Sequence, residues 1–342
     1  MTDETVLVTG ATGFIAGHCI EDLLRHGYRV RGTVRDLTRA RVDHLHEIAR
    51  ATGGDLEFVE ADLGADRGWR DAVAGCDYVW HVASPAPKSA PRHPDELVRP
   101  AVDGTLRVLR AARASGTVRR VMLTSSIDAV RSGYGRRELR HRDESDWSRP
   151  EQSDAYARSK TLAERAAWDL VCDGSGDLEL VSINPGLVLG PLQPGNGQAN
   201  VSVEVIRLLL ARKLPLVPRL GFAVVDVRDV AIAHRLAMLS AIAAGNRYIL
   251  AGEPMWYPEI ATLLHRELGP RGFRIPTRPM PRWLMWTVGR FDRTVRTALP
   301  YVDVPALVSS EKASRDLGWV ARPAQLSIMD TAERLIELGL AR

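Results

Sequence analysis

At 342 residues the chain is longer than one hydrophobic core ordinarily serves, so one large α/β unit with a smaller second lobe is expected. Its composition, 45% hydrophobic and 26% charged, is that of a soluble globular protein, and a net charge of +4 over interspersed acids and bases argues against nucleic acid or an anionic membrane as partner. No run reaches the ~18 apolar residues of a membrane span, no secretory pattern precedes the first strand, and three scattered cysteines without ligand spacing point to a reducing cytoplasm with no metal site or structural disulfide.

Short apolar runs then alternate with helical periodicity. Strands are predicted at 4–9, 28–34, 56–59, 77–82, 118–124 and 178–183, and helices at 14–26, 38–50, 66–74, 95–115 and 153–172. Right-handed crossovers make this an α/β fold with a doubly wound parallel sheet of the Rossmann type. After Pro185, "GPLQPGNGQ" reads as a loop and 201–212 as a helix. "FAVVDVRDVAIAHRLAML" reads as a strand turning into a helix that returns to the sheet, and 251–342 is mostly helical, with Trp256, Trp283, Trp286 and Trp319. The division expected is 1–184 plus 222–250 for the first unit and 185–221 plus 251–342 for the second, smaller and mostly helical lobe.

The first strand runs into "VLVTGATGFIAGH", with Gly10, Gly13 and Ala16 at three-residue spacing. Such a turn brings backbone close to a pyrophosphate and aims the free amides of a helix N-terminus at it, so the first unit is predicted to bind a dinucleotide through Gly10, Thr12, Gly13, Phe14 and Ile15. The second strand, "YRVRGTVRD", puts Val34 where an acid for the adenosine ribose belongs, followed by Arg35. A planar, permanently charged guanidinium suits a ribose phosphate, which favours NADPH (NADP+) over NADH, with Arg39 as a second contact. Asp36 leaves an NAD reading open. Asp62, beside Leu63 after the third strand, suits either an adenine contact or a helix cap.

Tyr156 and Lys160 of "QSDAYARSK" stand at i and i+4, on one helix face, and Ser125 and Ser126 of "VMLTSSIDAV" end the fifth strand, where open α/β sheets form sites. A phenol shuttles protons at neutral pH when a cation stabilises its anion, and the compact ammonium of Lys160 can do this while bonding the ribose of a nicotinamide nucleotide. The bulkier fork of an arginine fits those two tasks poorly, which accounts for one of only four lysines in the chain standing here against 42 arginines.

With the glycine turn, serine pair and YxxxK in order, the chain resembles the extended short-chain dehydrogenases/reductases, and more narrowly the branch of dihydroflavonol reductases and NADPH-dependent aldehyde and ketone reductases. "TGATGFIA", "GTVRD", "HVASP", "LTSS", "YARSK", "NPGLVLGP", "DVRDVAIAH" and "EKASRDLGW" carry the likeness nearly end to end. The resemblance implies hydride transfer from NADPH to the carbonyl of a medium-sized aldehyde or ketone, reversible as alcohol oxidation. Tyr156 would then donate the proton, Ser126 bond the carbonyl oxygen and Lys160 hold the ribose. Ala83, Ser84, Pro185, Leu187 and Val188 would line the nicotinamide end. The partner implied is a small-molecule carbonyl substrate, for a monomer or homodimer.

The arginine-rich stretch between serine and tyrosine departs from relatives, and solvent is the favoured neighbour of Arg131, Arg136 and Arg137. "MPRWLMWTVGRF" reads as core in preference to a lid or a subunit contact. Two other functions compete. One is a nucleotide-sugar epimerase or dehydratase with retained NAD; Arg35 and the lack of a VYG-type tyrosine after the serines weigh against it. The other is a non-catalytic cofactor-binding regulator, opposed by the intact Ser126, Tyr156 and Lys160.

Overall fold

The computed structural model describes residues 2–85, 93–174, 176–194 and 201–341; residues 195–198 of the predicted loop lie outside these. In the first half, β1 (Thr5–Val8), α1 (Phe14–Arg25), β2 (Arg29–Val34), α2 (Asp43–Thr52), β3 (Leu56–Glu60), α3 (Trp69–Val73), β4 (Tyr78–His81), α4 (Asp95–Ser115), β5 (Arg120–Thr124), α5 (Asp128–Arg131), α6 (Ala155–Val171) and β6 (Glu179–Pro185) follow one another. The second half adds β7 (Leu187–Leu189), α7 (Val201–Leu210), β8 (Val217–Pro218), β9 (Gly221–Asp226), α8 (Val227–Leu239), β10 (Arg247–Leu250), β11 (Pro254–Trp256), α9 (Tyr257–Leu268), β12 (Pro279–Met280), α10 (Arg282–Val288), α11 (Arg293–Ala298), α12 (Glu311–Leu317) and α13 (Ala324–Glu337).

Seven strands make one parallel sheet in the order β3-β2-β1-β4-β5-β6-β10. Both faces are covered at the centre of the sheet, which is why β1, β4 and β5 are buried, mainly apolar runs, whereas the edge strand β3 is only half-buried. From β1, Val6 and Val8 pack with Ile20 and Leu23 of α1 and Met238 of α8, while Leu7 packs on the other face with Val108 and Leu109 of α4. Side chains buried as fully as these stabilise by roughly 1.5–3 kcal/mol each. The strand order reverses between β1 and β4, and the crevice beyond the carboxyl ends of these strands is where such sheets bind ligands.

Three expectations need correction. The strand over 221–226 joins β7 and β11 in a separate three-stranded sheet; only the helix that follows it returns to the main sheet, covering α1, β5 and β6. The seventh strand of the main sheet is β10, whose Arg247 masks its apolar character until Glu164 is found beside it. In 280–291 Met285 is buried, but Trp283 is 69%, Trp286 57% and Phe291 89% exposed, so the segment is not core. Helical spacing of apolar groups marks a buried face only where another element covers it. Among the described residues no helix is long and apolar enough to cross a membrane.

Candidate active site

The turn after β1 depends on glycine at position 10. Its φ is +69°, and a Cβ there would lie 2.9 Å from the Cβ of Ala83. Gly10 N donates to Thr33 Oγ1 (2.9 Å), Ala11 N to Thr33 O (2.9 Å) and Gly13 N to Gly10 O (2.8 Å), fixing the loop against β2. Helix α1 then starts from Gly13 without a side-chain cap or an acid in its first turn, leaving its N-terminus ready for an anion. Thr12 is exposed and Ile15 half-buried, whereas the Phe14 ring is buried in the large core, edge-on to His18, so Phe14 can offer only its backbone here.

At the end of β2, Val34 is buried and Arg35 is exposed, with no ion pair among the described residues. Asp36 is engaged: Oδ1 accepts from Thr38 N (2.9 Å) and Thr38 Oγ1 (2.6 Å), and the Thr38 hydroxyl chiefly holds its carboxyl below the usual range. Arg39 faces that carboxylate at 3.5 Å. A free guanidinium beside an occupied acid fits a ribose phosphate better than a ribose diol. Asp62 Oδ1 accepts from Gly64 N (2.8 Å), so the residue closes a local turn; α3 starts later, from Gly68, and the helix-cap alternative is not realised. Leu63 packs toward Gly104 of α4.

Beyond β4, Thr9 Oγ1 pairs with His81 Nδ1 (3.0 Å) and accepts from Ala83 N (2.9 Å), pinning half-buried Ala83 next to Gly10; Ser84 is exposed. Burial drives His81 down to about 3, so it is neutral. Pro185 ends β6 and its carbonyl accepts from Ile127 N (3.0 Å), next to Ser126. Leu187 and Val188 pair with β9 in the small sheet, and the Val188 side chain is core.

The serines face opposite ways. Ser125 Oγ donates inward to Glu164 Oε2 (2.5 Å), while Ser126 Oγ accepts from Asp128 N (3.1 Å) on the side of the Tyr156 hydroxyl. Tyr156 opens α6, whose N-cap Asp154 accepts from Tyr156 N (2.8 Å) and Ala157 N (3.1 Å). Although 46% of Tyr156 is exposed, burial of its hydroxyl and then the Asp128 carboxylate raise its pKa; the Ser126 hydrogen bond opposes them. Lys160 stands one helical turn on. Its Nζ donates to Thr124 O (3.2 Å), and burial lowers its own pKa to about 8 against the pull of Glu164. The phenol is therefore protonated and the ammonium mostly charged at neutral pH.

Sequence reasoning missed Glu164, Asn184, Arg247, Asp128, Asp154 and Tyr301. Glu164 is buried and accepts from Asn184 Nδ2 (2.8 Å) and Arg247 Nε (2.7 Å) besides Ser125. It continues the i, i+4 series of Tyr156 and Lys160, a signal that was present. Tyr301 donates to Asp154 Oδ2 from the far end of the chain, and no local pattern announces that. Of the three arginines after Ser126, Arg131 lies 3.5 Å from Asp128, Arg136 bonds Val302 O and Asp303, and Arg137 is exposed.

A family model described as the NAD dependent epimerase/dehydratase family matches residues 6–251. "Cinnamoyl-CoA reductase CAD2" of Medicago truncatula is 37% identical over 346 residues, covering 99% of this chain and 97% of that protein. "Tetraketide alpha-pyrone reductase 1" of Arabidopsis thaliana is 34% identical over 284 residues, 81% and 83% of the two chains. Among solved structures, yeast methylglyoxal/isovaleraldehyde reductase Gre2 complexed with NADPH superposes with a TM-score of 0.78 at 25% identity, over 99% of this chain and 100% of that one.

Proposed function

The chain belongs to the NAD dependent epimerase/dehydratase family, as an oxidoreductase of its extended short-chain dehydrogenase/reductase branch, and we propose that it reduces the carbonyl of a medium-sized aldehyde or ketone with NADPH. One observation carries the reading: the protonated Tyr156 hydroxyl lies by Ser126, and charged Lys160, one helical turn on, bonds Thr124 O and shares a cavity with Ala83, which abuts the Gly10 turn.

The residues present fit the cofactor. Gly10, Thr12 and Gly13 with the backbone of Phe14 and Ile15 would hold the pyrophosphate, Arg35 with Arg39 the ribose phosphate, and Asp62 and Leu63 the adenine. Ala83, Ser84, Pro185, Leu187 and Val188 would enclose the nicotinamide. When bound, NADPH supplies the hydride. Ser126 Oγ and the Tyr156 hydroxyl bond the substrate oxygen, and Tyr156 gives it a proton as negative charge develops there. The raised Tyr156 pKa keeps that proton available, and in this proposal the Lys160 ammonium limits the cost of the phenolate left behind. Residues 1–184 and 222–250 form the dinucleotide-binding unit in this proposal, and 185–221 with 251–342 the substrate-binding lobe.

The test is NADPH oxidation against a panel of aldehydes, ketones, an aryl acyl-CoA thioester and nucleotide sugars. Turnover of an aldehyde or ketone is expected. Reduction of the thioester alone moves the substrate class to that of the cinnamoyl-CoA reductases, and tightly retained nucleotide with sugar turnover moves the reading to an epimerase. NADPH unchanged by every member rejects it.

Arg35→Ala removes a charged phosphate contact worth roughly 1.5–2 kcal/mol, so the NADPH dissociation constant rises about 10–30-fold while that of NADH stays within about twofold. Fluorescence titration with both nucleotides measures this, and equal losses would remove Arg35 from the phosphate site.

A further inference from the structure

Glu164 has no part in the reaction just described, yet its carboxylate is 1% exposed and held by three donors of less than 3 Å: Ser125 Oγ, Asn184 Nδ2 and Arg247 Nε. We propose that Glu164 is a positioning residue that keeps Lys160 in its charged form, with Arg247 setting how much of the carboxylate's charge reaches the ammonium. Lys160 and Glu164 stand one turn apart on α6 and wall the same small cavity with Thr124 and Ser125. Lys160 Nζ bonds only a neutral partner, Thr124 O, and makes no ion pair among the described residues.

The surroundings of Nζ leave Glu164 as its counter-charge. From α6 come Tyr156, protonated, and Glu164; α4 contributes Ala101 and Thr105, which carry no charge. From β4 comes His81, and behind Thr124 stands His234 of α8, whose Nδ1 donates to Val230 O so that its Nε2 accepts from Thr124 Oγ1; both rings are held neutral by burial, at about 3 and about 4. Arg247 of β10 lies behind Glu164, fixed by Glu144 O (2.8 Å), Asp146 O (2.7 Å) and the Trp147 ring (3.8 Å). A buried lysine without a counter-charge titrates near 5–6, whereas Lys160 stays at about 8. Because Glu164 acts without a direct ion pair, the two ammonium hydrogens not given to Thr124 O remain available for a ribose.

The inference rests on Lys160 having the role given above, so its test reads the lysine directly. The chain has four lysines, Lys88, Lys160, Lys213 and Lys312, and isotope labelling at lysine Cε gives four NMR titration curves, with that of Lys160 assigned by its loss in Lys160→Arg. In the wild type the Lys160 midpoint is expected near 8. Glu164→Gln removes the negative charge and leaves Arg247, so the midpoint falls by at least about one pH unit; Arg247→Met raises it. The alkaline limb of kcat/KM moves with the midpoint, costing Glu164→Gln at least about fivefold near pH 8 and far less near pH 6. A wild-type midpoint below about 6.5 overturns the proposal even where neither variant folds, as does an unmoved midpoint in a folded variant. A moved midpoint in a protein inactive on every carbonyl supports the coupling and counts against the reductase reading alone.

Discussion

Tyr156→Phe lowers kcat by about 10³-fold and leaves NADPH affinity within about threefold. The substitution keeps the ring and its packing and deletes only the hydroxyl beside Ser126. Loss of one hydroxyl from a residue 46% exposed costs at most about 0.5–1.5 kcal/mol of stability, so the fold survives and the loss is read as chemistry. The wild-type profile carries a second signature. Burial and Asp128 keep the phenol protonated past the usual tyrosine range, while Lys160 titrates at about 8. The alkaline limb of the wild-type reaction is therefore set by loss of the Lys160 proton, and activity falls as pH rises through about 8. Single-turnover rates for both proteins across that range decide the matter. A phenylalanine variant retaining a tenth of wild-type kcat would remove Tyr156 as proton donor.

Much of this arrangement was legible because its parts are local. The Gly10 turn, the serine pair and the YxxxK spacing each lie within one strand-to-helix junction or one helix, where sequence distance and spatial distance agree. Strands β1, β4 and β5 of the main sheet announced themselves because both of their faces are buried. What could not be read lies in pairings between distant segments. Arg247 looks like a surface residue in "NRYIL" until Glu164 neutralises it, and this hid β10. The strand over 221–226 has the right composition for either sheet, and only its register with β7 and β11 settles which. The partners of the YxxxK pair from outside its helix could not be read either: Thr124 O at the end of β5 holds Lys160 Nζ, and the Asp128 carboxylate raises the Tyr156 pKa.

Gly10→Ala should be the most damaging single change to cofactor binding, raising the dissociation constants of NADPH and NADH alike by about 100-fold or more, roughly 2.7 kcal/mol. Two costs combine. A side chain at φ +69° strains the backbone by about 1–2 kcal/mol, and its Cβ would sit 2.9 Å from that of Ala83. Ala83 has little room to retreat, because its N–H is held by Thr9 Oγ1 and Thr9 is itself paired with His81. The turn must shift instead, and the first turn of α1 begins only four residues on, so the amides facing the pyrophosphate shift with it. Gly53→Ala is the matched control: φ is +63°, yet nothing lies within 4 Å of the added Cβ. It should carry the backbone strain as a similar loss of thermal stability and leave both nucleotides bound normally. Loss of both nucleotides in Gly10→Ala separates the pyrophosphate turn from Arg35, whose removal affects NADPH alone. A Gly10→Ala protein binding NADPH within about threefold of wild type would show that the dinucleotide does not lie against this turn.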